Sequence, residues 1–306
     1  MTQPGDDWMN REYFIIKVYC LVCEHYPIVI EQMRLRRRGF LPALSDEEVI
    51  TIEVCGEYFG LNEDEAIFEY FRHHYAHYFP ALRERTTFVR QAANLWAVKM
   101  KIQARLTEVS GQAGDEVQII DTMPLPVCTY TRSLRDRCFK PEADYGYCAA
   151  KELSYYGFKL GLRISRAGMI IHYPLLPARP HDSQLLDDLV AGFEGIVPAD
   201  KAFIDAFRQK NLAQKRYVEL VTPVRKNMAA KPPIQVQKIC RRWRKLVETV
   251  GSHLTERYHV TKIRTHDLWH YQHRLIRKVL SHTICVFFNL QLGLPPLQLD
   301  SLLSTY

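Results

Sequence analysis

The stretch EVQIIDTMPLPVC, residues 116–128, decides how the rest of the chain is read. An apolar, β-branched run ends on one carboxylate, Asp121, just before Pro124 and Pro126. The pattern predicts a buried strand over VQIID with Asp121 at its carboxyl end and a proline-broken turn after it. Asp is common where strands stop, because its side chain bonds to the following backbone amides. Taken alone, Asp121 is therefore a turn residue. It becomes a rigidly held metal ligand only if partners stand at comparable places elsewhere.

Downstream of Asp121, the runs YYGFKLGLRIS, GMIIHYPLL, GIVPAD and YVELVTPVRK are short, β-rich and separated by turns. HDSQLLDDLVAGF and AFRQKNLAQKR, both helical in pattern, interrupt the later ones. Three strands, helix, strand, helix, strand, then a long basic helix from about residue 239 to 259, predict a mixed α/β sheet covered by helices. An apolar closing helix follows in LIRKVLSHTICVFFNLQLG.

Upstream, residues 1 to about 110 have helical spacing. NREYFIIKVYCLVCEHYP precedes Pro27, LSDEEVITIEVCGEYFG opens with a capping box of Ser45 and Glu48, and NEDEAIFEYFRHHYAHYF starts on Asn62. A fourth helix follows Thr86 or Thr87 and runs through FVRQAANLWAVKMKIQARL. SGQAGDE, residues 110–116, has a linker's composition. The expected division is a helical domain over 1–112 and a mixed α/β domain with carboxyl-terminal helices over 113–306.

Composition narrows the class. The 306 residues are 47% hydrophobic and 25% charged, which fits a folded soluble protein with a sizeable core. No stretch approaches the roughly 18 apolar residues of a membrane span, and MTQPGDDWMN is too acidic for a secretory signal. The eight cysteines are then expected as reduced thiols in a cytosol. Cys20 and Cys23 form one C-x-x-C without a second pair at ligand spacing, which favours a packed helical pair. His73 and His77 lack the glutamate of H-E-x-x-H.

Charge is uneven. Residues 201–250 carry 13 Lys and Arg against Asp205, Glu219 and Glu248, a local +10 in a chain whose total is +7. Such an excess suits a polyanion-facing surface as well as a solvated one. The run MRLRRRG, 33–39, has the same two readings.

Two more carboxylates stand in anomalous places. Asp200 ends the fourth apolar run as Asp121 ends the first, and Glu248 sits in the long helix among positive charges. Each has an ordinary explanation: Asp200 as a helix N-cap, Glu248 as the i,i+4 partner of Arg244, worth about 0.3–0.5 kcal/mol. Asp182, Asp205 and Asp144 compete, as a cap, a neighbour one turn past Asp200 and a loop residue. Two strand-end carboxylates and one on a crossing helix can nevertheless hold two divalent ions about 3.5–4 Å apart for in-line attack at phosphorus. Hard oxygen ligands favour magnesium or manganese over zinc.

From Asp121 to about Tyr258 the chain resembles the catalytic domain of bacterial insertion-sequence transposases with an Asp, Asp, Glu triad, most closely the insertion-sequence 982 family. The resemblance lies in DTMPLPVC, GYCAAK, YYGFKLGL, LLPARPHDSQLL, ADKAFI, ELVTPVRKNM and RRWRKLVETVGSHL, in that order. LSDEEVITI and FPALRERTTFVR are similar to that family's amino-terminal region. It implies a ribonuclease H-like mixed sheet with helices on both faces, preceded by an all-α domain. The triad falls on Asp121, Asp200 and Glu248. They would hold two Mg2+ or Mn2+ ions, the two aspartates bridging both and Glu248 completing the second.

Arg244 matches the arginine one turn before the glutamate. With Lys201, Arg225, Lys226 and Arg241 it is the expected set of DNA-phosphate neighbours. Ala199 and Ala202 stand where the family usually has glycines. Gly251 replaces a bulky apolar residue and weakens its helix by roughly 0.5–1 kcal/mol relative to alanine. The implied activity is cleavage at terminal inverted repeats and joining of the 3′-hydroxyl ends to target DNA. A homodimer would act on double-stranded DNA, in the cytoplasm at the nucleoid and without a membrane. A ribonuclease H-like nuclease without strand transfer, or a domesticated DNA-binding protein that lost its chemistry, are the alternatives.

Overall fold

Ser45 starts the helix around which the amino-terminal part is built. Its hydroxyl accepts from the Glu48 amide at 3.1 Å and the Glu48 carboxylate accepts from the Ser45 amide at 2.7 Å, the expected capping box. The computed structural model describes residues 10–31, 33, 35–36, 41–135, 138–148, 152–223 and 234–303. By contacts the chain forms two compact units. One is Met1–Val109 with Glu256–His259 and Trp269–Tyr306; the other is Ser110–Thr255 with Val260–Leu268.

The first unit holds α1 (Arg11–Ile30), α2 (Asp46–Tyr58), α3 (Asp64–His74), α4 (Arg85–Asn94) and α5 (Trp96–Val109). α1 carries Pro27 inside its last turn, where the missing N–H removes one bond without ending the helix. By length and composition it is long and apolar enough to cross a membrane, a test that a buried core helix passes as well, although Arg11, Glu12, Lys17 and Glu24 interrupt its apolar run. Its buried face packs on α2 and α5, and Phe14 stacks on Tyr58 with ring centroids 4.3 Å apart. α3 starts later than expected: Glu63 is its N-cap, and the Asn62 amide donates to the Gly60 carbonyl instead. The single fourth helix is two, because Leu95 leaves helical geometry (φ −85°, ψ 8°) between α4 and α5. In the basic run 33–39, Arg36 is held by Asp46 at 2.5 Å, and Arg34, Arg37 and Arg38 lie outside the described residues.

The second unit contains β1 (Ile119–Thr129), α6 (Tyr130–Ser133), β2 (Asp144–Cys148), β3 (Leu153–Ile164), β4 (Ile170–His172), β5 (Leu175–Pro177), α7 (Leu186–Leu189), β6 (Gly195–Pro198), α8 (Ala206–Arg216), β7 (Val218–Val221) and α9 (Ile234–Ser252). β1 and β3 pair antiparallel over their lengths, Ile119 opposite Ile164 and Thr129 opposite Tyr155. β2, β5 and β4 follow one another antiparallel along β3. β6 pairs parallel with β7, and a parallel bridge from Val117 to Ile196 sets β6 beside the entry to β1.

Three sequence expectations change here. β1 continues eight residues past Asp121, so Asp121 is its third residue and not its end. Beyond Gln118, among the described residues, β1 is bonded only to β3, and a strand free on one side tolerates Pro124 and Pro126. Asp144 opens strand β2 and is not a loop residue. GMIIHYPLL splits into β4 and β5.

α9 buries Cys240, Val247, Val250 and, through the π-helical turn His253–Arg257, Leu254. This 3–4 spacing turns Arg241, Arg242, Arg244 and Lys245 to solvent. A second cluster of Ile120, Leu186, Leu189, Val197, Phe203, Leu212 and Val218 packs α7 and α8 on the sheet.

α10 (Leu268–Gln291) departs most from the sequence reading. Expected in the catalytic domain, it groups with the amino-terminal helices, and charge is the reason. The α2 carboxylates Glu53 and Glu57 are fully buried, and α10 supplies their cations. Arg277 Nε meets Glu57 at 2.5 Å and Lys278 Nζ meets it at 2.7 Å. Arg277 also pairs with Asp64, Arg274 reaches Asp64 at 2.6 Å, and Lys99 of α5 reaches Glu53 at 2.5 Å. Buried ions cost several kcal/mol each unless paired, so these helices must fold together.

Candidate active site

Side chains alternate along a strand, so Ile120 enters the cluster beneath α7 and α8 while Asp121 turns to the opposite face, where α9 lies. Asp200 lies two residues past β6, in the chain leading to the short turn Lys201–Phe203. Its backbone occupies that turn's N-cap position, yet its carboxylate makes no capping bond. The capping role belongs to Asp205, which accepts from the Phe207 and Arg208 amides at 3.1 Å each at the start of α8. Asp182 is not the cap of its own turn, a role His181 takes. It pairs with Lys159 at 2.9 Å.

Asp121, Asp200, Arg244 and Glu248 line one cleft of about 40 Å3, with Cys240 and Val247 as its apolar wall. Arg244 joins the parts. It donates to Glu248 at 2.8 Å, the expected helical pair, and to Asp200 at 3.2 Å on a different element. Glu248 is 57% exposed and Arg244 53%, so these ion pairs contribute little stability, about 0–1 kcal/mol. The hydrogen bond that Arg244 donates to Glu248, then the charge of Asp200, raise the Arg244 guanidinium above its ordinary value.

Asp121 behaves differently. Burial of its carboxyl pushes it up to about 7, against the bond it accepts from the Thr122 amide at 2.8 Å; the charges of Asp200 and Asp182 add to the rise. Among the described residues it has no salt bridge. A carboxylate so short of positive charge, beside two others, is a hard-oxygen donor set that suits a divalent cation. Among the described residues no three acidic, His or Cys side chains are already drawn together as one ion's ligands. The positive charge that Asp200 and Glu248 share is the Arg244 guanidinium.

Of the expected phosphate neighbours, Lys201 is exposed beside Asp200 and Arg241 is exposed on α9, neither lining the cleft. Arg225 and Lys226 lie outside the described residues. Cys240 and Val247 were not singled out in the sequence; only their 3.6-residue spacing on α9 marks them as inward-facing. Cys20 and Cys23 are free thiols on α1, and His77 lies beyond the end of α3.

The family model for the transposase DDE domain matches residues 111–268, just over half of the chain, and the chain belongs to that family. It is a transposase of the DDE type, which makes DNA its partner, and such domains generally use divalent metals. No curated protein and no solved structure matches the chain.

Proposed function

We propose that this transposase cleaves DNA at the terminal inverted repeats of its element and joins the 3′-hydroxyl ends to target DNA, with Asp121, Asp200 and Glu248 as the catalytic carboxylates. The observation that supports this most is their convergence, from β1, the segment after β6, and α9, on one cleft with Arg244 between two of them. The antiparallel pairing of β1 with β3, the parallel pair of β6 and β7, and the parallel bridge from Val117, just before β1, to Ile196 support a ribonuclease H-like fold, and the sequence resemblance alone supports the insertion-sequence 982 type.

The three carboxylates would hold two Mg2+ or Mn2+ ions, which when bound supply activation of the attacking hydroxyl and charge stabilisation at the leaving oxygen. Asp121, enclosed and fixed on a sheet strand, sets the position of the site. Asp200 and Glu248, more exposed, close it from either side. Arg244, freed from the carboxylates it now bridges, meets a backbone phosphate, with Lys201 and Arg241 flanking. Phosphates are the same at every step, so this site carries little base information. Reading of the ends is assigned to the helical unit of 1–109. The protein works as a homodimer in the cytoplasm.

The test uses labelled terminal-repeat DNA and Mg2+, with a supercoiled target present. Strand cleavage and joined product are expected. Cleavage that never leads to joining would identify a nuclease, and specific binding without cleavage a domesticated DNA-binding protein.

Arg244 has its own expected result. Arg244→Ala should weaken DNA binding and lower the slope of log K against log salt by about one unit. A pure ion-pair role predicts an unchanged slope and only a small stability change, and that outcome would remove the phosphate assignment.

A further inference from the structure

Among the described residues of the helical unit, one helix turns outward a polar face that carries no carboxylate, and it is α4. α2 exposes none of its residues, and α10 exposes only Trp269 and Gln291. α1 shows Tyr13, Ile16 and Tyr19 to solvent together with Glu12 and Glu24, α5 shows Met100, Glu108 and Val109, and α3 shows Glu65 and Glu69. On α4 the inward side is committed to the core. Phe88, Ala92 and Ala93 are buried there, and Gln91 donates to the Leu44 carbonyl at 3.0 Å and to Asp46 at 2.7 Å. Thr86, Arg90 and Asn94, four residues apart on the other side, are exposed with Thr87 beside them.

The side chains on that face are those that pair with base edges. In the major groove an arginine takes the O6 and N7 of guanine, an asparagine takes the N6 and N7 of adenine, and a threonine methyl packs on the thymine methyl. Arg90 and Asn94 have no ion pair or hydrogen bond among the described residues. From residue 72 to 94 the chain carries Arg72, Arg83, Arg85 and Arg90 against Glu84, whereas a merely solvated face mixes both signs. Only Arg85 has a partner in an acid, Glu65 at 3.7 Å. The support is rigid. α2, α3 and α4 pack on one another, a Cβ on Gly56 of α2 would fall 2.7 Å from Ile67, and the Phe68 and Phe88 rings stand 6.0 Å apart between α3 and α4. The connection from 75 to 84 is longer than the three- or four-residue turn of a helix-turn-helix, but Tyr75, Phe79 and Leu82 are buried and pin it. At about 1.5 Å per residue α4 extends roughly 15 Å, a fit for a groove about 12 Å wide.

We infer that α4 is the helix that enters the major groove of the transposon ends, with Arg90 and Asn94 reading base edges, Thr86 and Thr87 packing beside them, and Arg83, just before the helix, on a flanking phosphate. DNA is the partner of this family, so the choice lies among surfaces of the chain, and the unpaired donors of α4 decide it. The inference rests on the helical unit being the reader of the ends, as proposed above, and narrows that unit to one helix face.

The test uses the full-length protein with a terminal-repeat duplex and a scrambled duplex of the same composition, in competition at physiological salt. Wild type should prefer the repeat. Arg90→Ala and Asn94→Ala should each weaken binding to the repeat roughly tenfold with a much smaller change on the scrambled duplex, and each should make a different base pair of the repeat tolerant of substitution. Arg90→Lys keeps the charge and loses the bidentate fork, so it should lose the preference and keep the dependence of log K on log salt. Arg83→Ala should weaken both duplexes alike and lower that slope by about one unit. These side chains are exposed, so the thermal midpoints should match wild type, and a lowered midpoint in the alanine variants would make the residues structural and overturn the inference. Unchanged selectivity in both alanine variants, or in Arg90→Lys, would overturn the α4 assignment alone. A wild type that binds repeat and scrambled duplexes equally would overturn the assignment of end reading to the helical unit and this inference with it.

Discussion

Replacing Arg277 by alanine should cost about 3–5 kcal/mol of stability, the usual result of removing one partner from a buried charge pair. Arg277 is fully buried. It meets Glu57 at 2.5 Å, Asp64 directly and Glu53 at 3.4 Å, so its loss leaves three buried carboxylates one cation short, Glu53 with Lys99, Glu57 with Lys278 and Asp64 with Arg274. In the intact protein burial alone would raise Asp64, and Arg277 and Arg274 outweigh it to hold Asp64 down at about 2. That contribution is present above the ordinary carboxylate value and is lost as pH falls through about 2. In Arg277→Ala, Asp64 keeps Arg274 but loses the larger of its two cationic partners, so it takes up protons more readily than in the intact protein. The variant's deficit should therefore be smaller at pH 5 than at pH 8. Denaturant melts at the two pH values check this, and a deficit that grows on acidification would contradict the network's role. A fragment ending at residue 112 removes α10 altogether and should not fold.

The second large effect is catalytic. Asp121→Asn, Asp200→Asn and Glu248→Gln should each lower cleavage by roughly a thousandfold or more, with no further loss in the doubles, as members of one catalytic unit behave. Their stabilities should separate them. Asp121 is raised to about 7 by burial first, so its contribution to stability is present below the ordinary carboxylate value and lost as pH rises through about 7. Asp121→Asn, neutral at every pH, should then raise the thermal midpoint at pH 8 without metal while abolishing activity. Asp200→Asn and Glu248→Gln, both in exposed pairs, should leave the midpoint nearly unchanged. Cleavage by Asp200→Asn at the wild-type level would remove Asp200 from the site and make Asp182 or Asp205 the next residue to test.

What could be read from the sequence follows from how local each signal is. The Ser45–Glu48 capping box, β3, α8 and most of α9 were legible because their patterns close within a few residues. Asp200 and Glu248 stand out against their neighbours for the same reason. The end of β1 is not legible locally, because whether a strand tolerates proline depends on which side has a partner, and that partner is distant in sequence. Asp144 reads as a loop residue because β2 is an edge strand of five residues whose existence depends on β3. α10 was grouped with the catalytic domain because Arg277 and Lys278 look like surface charges until Glu53 and Glu57, more than two hundred residues earlier, are placed beside them. The bridging of Asp200 and Glu248 by one guanidinium was not visible either, since it joins residues on two elements.

The grouping of α10 with α1–α5 also has a consequence for synthesis on the ribosome. The amino-terminal helices emerge first, yet Glu53 and Glu57 cannot be enclosed until the last helix arrives with its cations. At roughly 5–20 residues per second, the intervening unit takes on the order of 10 s to be made. During that interval the nascent helices wait half-assembled and open to chaperones, and the sheet unit, whose segments lie almost entirely between them, is free to close first. A chain released early would carry a finished carboxylate cleft and no completed helical unit.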